Sequence, residues 1–107
     1  MRLNPYPPDG YIVHRTAMYR NNQNYEEALI WAKKAVERAP RNFFAHINLC
    51  SVYSLLGQIE EARLEAEEVM KLNPKFSLAK FEKAITYKIP SVKKQFIDAL
   101  RNAGIPD

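Results

Sequence analysis

The side chains in this sequence that could do chemistry are few and badly spaced for it. His14 and His46 stand 32 residues apart with no acid at ligand or relay spacing beside either. Neither a metal centre nor a set of nucleophile, base and orienting group can be assembled from them. Cys50 is the only cysteine, so no internal disulfide forms and no cysteine-based zinc site closes. The adjacent glutamates Glu26–Glu27 and Glu60–Glu61 resemble acid and base candidates. Both pairs, however, fall where a helix begins, and the macrodipole there favours negative charge whatever the function. With three glycines in the whole chain there is no phosphate-cradling loop. No catalytic residue, metal or cofactor is expected.

The two glutamate pairs belong to something larger. QNYEEALIWAKKAVERAP (Gln23 to Pro40) and GQIEEARLEAEEVMKLNP (Gly57 to Pro74) align without a gap, sharing Glu26/Glu60, Glu27/Glu61, Ala28/Ala62, Ala32/Ala66 and Pro40/Pro74 at a constant offset of 34 residues. Gly and Pro punctuation divides the chain into short segments, because Pro lacks a donor and biases the residue before it away from the helical region. Between the breaks, apolar residues recur at three and four, as with Tyr25, Ala28, Leu29, Ala32, Ala35 and Val36, or Ile59, Ala62, Ala66, Val69 and Met70. The spacing predicts helices near 9–21, 25–38, 43–55, 59–71, 77–88 and 91–103, with no strand. Asn24 and Asn42 are placed to cap the helices that follow them.

A 34-residue period with two helices per unit resembles the tetratricopeptide repeat. Its pattern sites carry Ile12, Arg15, Thr16, Tyr19, Ala28, Ala32, Ala35 and Pro40 in one unit, then His46, Leu49, Cys50, Tyr53, Ala62, Ala66, Val69 and Pro74 in the next. Tyr, Ala and Pro agree in both; the Trp and Phe sites of the pattern agree in neither. A small residue lets antiparallel helices approach, so Ala28 and Ala62 can accept the rings of Tyr19 and Tyr53. Cys50 falls at a small-residue site and reads as a small buried hydrophobe. The resemblance implies an all-α helix-turn-helix solenoid with units at 9–42 and 43–76. A partial third unit and a capping helix follow over 77–107, the cap turning Val92, Phe96, Ala99, Leu100 and Ala103 inward. Residues 1–8, with Arg2 to Pro5 echoing Lys71 to Pro74, read as the end of an upstream repeat. The ending LNPKFSL through YKIPSVKKQFIDALRNAGIPD resembles the tetratricopeptide tail of bacterial class III adenylate or guanylate cyclases and related multidomain signalling proteins.

That resemblance implies a non-catalytic module that binds a protein or peptide on the concave side lined by the first helix of each unit. The candidate groove residues are Val13, His14, Ala17, Arg20 and Asn21, then Phe44, Ile47, Asn48, Ser51 and Leu55, then Leu78, Phe81 and Glu82. The carboxylate clamp of chaperone-binding relatives is not matched, since of Val13, Ala17, Asn48, Leu78 and Glu82 only Asn48 is the required type. Tyr11, Ile12, Met18 and Tyr19 do not share one narrow stripe, so the leading helix is a candidate for self-association as a homodimer. Sixteen Lys and Arg are interleaved with twelve Asp and Glu, and Val13, Ala17, Phe44 and Ile47 interrupt any basic groove, which speaks against a nucleic-acid partner. No run approaches a membrane span, and the lone cysteine suits the cytoplasm.

Overall fold

A computed structural model describes residues 16–85 and 89–107. Those residues form an all-α structure without strands: α1 (described over 16–21), α2 (Tyr25–Arg38), α3 (Phe43–Leu55), α4 (Ile59–Leu72), α5 (Leu78–Ala84) and α6 (Pro90–Asn102). Tyr11, Ile12, Val13 and His14 lie outside the described residues, as do residues 86–88.

The repetition in the sequence becomes repetition in hydrogen bonds. Gln23 N donates to Arg20 O at 3.0 Å as Gly57 N donates to Ser54 O at 3.0 Å; Asn24 N to Tyr19 O at 2.8 Å matches Gln58 N to Tyr53 O at 2.9 Å. At the far end of each pair, Ala39 N to Ala35 O and Asn73 N to Val69 O are both 3.0 Å. The first turn requires a left-handed residue, which is Gly57 (φ +81°) in one unit and Gln23 (φ +64°) in the other. Glycine adopts that region freely, whereas a side chain there is strained.

The caps differ from expectation at one position. Asn42 caps α3, its Oδ1 accepting from Phe44 N at 2.9 Å and Ala45 N at 3.2 Å. Asn24 makes no such side-chain bond to α2, whose first turn relies on Glu26 and Glu27 against the helix dipole. Helix α5 is also shorter than the predicted 77–88: it stops at Ala84, and Ile85 is extended. Pro90 sets the first turn of α6, and the residue before it, Ile89, is extended as a following proline favours.

Helix α3 is the centre of the stack. Every residue from Ala45 to Val52 is buried, because α2, α4 and α6 each take a face of it. Ala28, Ala32, Ala62 and Ala66 are buried at the pattern sites. One core cluster joins Ile47 and Cys50 of α3, Ala62, Ala66 and Val69 of α4, Leu78 of α5, and Phe96, Ile97 and Leu100 of α6, with Tyr53 packed against it. The end of the chain is fastened to α5 by Leu78 N donating to Pro106 O at 3.0 Å.

Enlarging Ala62 or Ala28 to Leu should overpack a crossing that has no room for it, costing about 1 to 3 kcal/mol. An unchanged melting temperature in both variants would contradict the packing described. Conversely, Gln23→Gly should relieve the left-handed strain that Gly57 avoids, raising stability by up to about 1 kcal/mol. A denaturant midpoint that falls would show that Gln23 is not strained.

Candidate interaction surface

The polar cluster that decides what the concave face can do begins at Arg20, in the last turn of α1. Asn48 and Ser51 are three residues apart on α3 and so share a face. Arg20 Nη1 donates to Asn48 Oδ1 and, at 3.3 Å, to Ser51 Oγ; Nε donates to Asn21 Oδ1 at 3.4 Å. Ser51 Oγ in turn donates to the Asn48 carbonyl at 2.8 Å. From α6 the Phe96 ring closes over the guanidinium, with its centroid 3.9 Å from Cζ. Arg20 is only 3% exposed. A permanently charged group can be buried to this extent only when its donors are taken up and a polarisable surface covers it, and this cluster supplies both.

The groove candidates divide by burial. Arg20, Ile47, Asn48 and Ser51 are buried under α6 rather than displayed along an open strip, and Leu78 is buried as well. The first half of α6 lies beside the end of α3, where Leu55, Val92, Gln95 and Phe96 line one small cavity with Arg20 and Asn21. Of the remaining candidates, Ala17, Asn21, Leu55, Phe81 and Glu82 are half-buried and Phe44 is exposed. On the self-association stripe, Met18 is exposed and Tyr19 half-buried.

Phe44 is not isolated. A chain of rings runs from it to the buried cluster: Phe44 to Phe43 at 5.4 Å, Phe43 to Phe76 at 4.9 Å, Phe76 to Phe81 at 5.4 Å and Phe81 to Phe96 at 6.0 Å between centroids. These separations suit edge and tilted aromatic packing. Phe43 and Phe76 were not among the sequence-based candidates; they are the first and last residues of the second unit and not counterparts in the 34-residue repeat, so the repeat did not flag them.

The residues of chemical type have structural work instead. His46 bridges two elements: its Nε2 donates to the Pro40 carbonyl at 2.6 Å and its Nδ1 lies 2.7 Å from Glu65 Oε1. Cys50 is buried with Sγ 3.4 Å from the Ala62 carbonyl, and burial, with the Glu65 charge adding to it, pushes its thiol up to about 12. A thiol held protonated in this way is a poor nucleophile at neutral pH. Among the described residues no three His, Cys, Asp or Glu side chains gather as metal ligands, and no helix is long and apolar enough to cross a membrane.

Comparison with known proteins agrees with the repeated geometry. The family model described as "Tetratricopeptide repeat" matches residues 18–42 and 45–76, together more than half of the chain. Tetratricopeptide repeat protein 17 of Danio rerio is 36% identical over 72 residues, 67% of this chain; the chain spans about 6% of that protein's length. No solved structure matches. Repeats of this family are non-catalytic protein–protein interaction modules. With its all-helical stack, its 34-residue hydrogen-bond repeat and its alanine crossings, the chain belongs to the tetratricopeptide repeat family.

Proposed function

We propose that the chain is the regulatory or assembly module of a larger cytoplasmic signalling protein of the bacterial kind whose cyclase tails its last third resembles. Its units are 9–42 and 43–76, followed over 77–107 by a partial third unit with its cap. It receives a peptide segment of a protein partner along the edge that carries Phe44, the rings leading from it to Phe81, and Glu82. The observation that carries this reading is Phe44: 55% exposed, yet continuous with a chain of rings that ends in the core. An exposed aromatic with ordered aromatic support is the kind of residue that anchors a partner, since little side-chain freedom is lost when it is covered. Glu82 gives the edge a carboxylate, directed in part to Arg101 at 4.0 Å.

A second reading, self-association through α1, is favoured by Met18, which leaves 37% of its surface in solvent in the last turns of that helix. Phe44 and Met18 are both exposed, so each reading has a residue that can be changed without disturbing the core.

A photo-reactive phenylalanine at position 44 should cross-link one specific protein in the source cell, and Phe44→Glu should weaken capture of that protein about tenfold without lowering the melting temperature. Equal capture by Phe44→Glu would overturn the reading. For α1, light scattering at rising concentration should report a dimer that Met18→Glu or Ile12→Asp converts to monomer; a chain already monomeric at high concentration would remove the second reading.

A further inference from the structure

Lys71 with Glu68, Lys94 with Asp98 and Arg101 with Asp98 and Asp107 all pair in solvent. His46 with Glu65 does not: their side chains are 6% and 17% exposed, and the contact lies where the first unit joins the second. The repeat does not require it. One period earlier the same positions hold Ile12 and Trp31, and one period later Lys80 and Ala99, so the pair belongs to this junction alone. Helix α3 packs against α2, α4 and α6, which sets the charged and titratable groups around the pair. Glu65 and Glu61 come from α4, and Cys50 and Tyr53 from α3 itself; burial first and the Glu65 charge second raise the thiol and the phenol, so both are neutral at neutral pH. Helix α2 presents Trp31, Ala35 and Val36 to α3 and ends in Arg38, with Pro40 between that residue and Arg41. On α6, Lys94, Asp98 and Arg101 are bonded to one another or to Asp107, and Lys93 is half-buried. Of all these groups, Glu65 is the one bonded to the ring.

A backbone carbonyl can only accept, so the 2.6 Å contact with Pro40 O fixes a proton on Nε2 of His46. A neutral imidazole bonded in this way has no proton left for Nδ1, and a carboxylate has none to give. The 2.7 Å contact between Nδ1 and Glu65 Oε1 would then set one lone pair against another. It closes as a hydrogen bond only with one proton more than a neutral ring and a carboxylate hold between them. Glu65 is partly in water, which favours its anion, so the extra proton sits on Nδ1 and the ring is an imidazolium. A buried imidazolium needs a counter-ion, and Glu65 supplies it. We propose that His46 and Glu65 form a proton-dependent latch between the units. With both ring protons in place, His46 ties the carbonyl that closes the first unit to a carboxylate of the second; when the Nδ1 proton leaves as the pH rises, the bond to Glu65 is lost. The latch concerns the joint between units and needs no partner, so it stands apart from the reading of Phe44.

Above about pH 6.5 an unfolded imidazole is neutral, so the folded chain then binds one proton more than the unfolded chain and loses stability as the pH rises. Below that pH the ring is charged in both states and the latch contributes in full. The raised Cys50 thiol acts with the same sign, but only from about pH 8.5, where an unfolded thiol ionises. The test is denaturant unfolding of the full chain and of Glu65→Gln from about pH 6.5 to about pH 8. In the variant a glutamine amide can donate to Nδ1 of a neutral ring, so no extra proton is needed. The unfolding constant of the unmodified chain, divided by that of the variant, is expected to rise about tenfold across this window. His14 is common to both chains and cancels in the ratio. A ratio that stays constant or falls would overturn the latch. Independently of any variant, ring nitrogen-15 spectra of the folded, unmodified chain at about pH 7.5 are expected to show a proton on both nitrogens of His46, and an unprotonated Nδ1 there would overturn the latch equally.

Discussion

A guanidinium withdrawn from water organises the inner side of this stack. Arg20 cannot lose its charge, so its burial obliges Asn48 and Ser51 to turn their oxygens towards it and obliges an aromatic ring to cover it. The ring belongs to α6. Seating Phe96 there brings Ile97 and Leu100 onto α3 and the end of the chain onto α5. Phe96 thereby covers Arg20 on the inner side of the stack, while Phe44 stays exposed at its edge. The contact joins residues that are 76 positions apart in sequence.

Much of the fold was legible beforehand because local rules and the repeat agree. The alanines at the crossings, the Pro stops, the Asn42 cap and the extents of α2 and α3 follow from residue type and position alone. Where the sequence reading fell short, the cause was always a contact it could not place. The amphipathic pattern of α6 states that one face is buried but not against what, so the burial of Arg20, Ile47, Asn48 and Ser51 could not be read from it. Gln23 offers no sign that it must take the left-handed turn of Gly57 until the two units are superposed through their hydrogen bonds. The early end of α5 at Ala84, with Ile85 extended, is not registered by periodicity.

The chemical side chains show the same dependence on context. His46, standing at a site where related repeats carry a large aromatic, joins the Pro40 carbonyl to Glu65 and thereby links the first unit to the second. Cys50, whose thiol could suggest reactivity, is a packing residue with its proton held by burial. A solenoid unit has few side chains to spare from stacking, and function falls to those that the stack leaves outside it.

The most direct test of the central contact is a nuclear Overhauser measurement on the isolated chain. Cross-peaks are predicted between the Phe96 ring and the side-chain protons of Arg20, whose Cζ lies 3.9 Å from the ring centroid, together with slow exchange of the guanidinium protons. A Phe96 ring with no contact to Arg20, and guanidinium protons exchanging at the rate of an exposed arginine, would contradict the account.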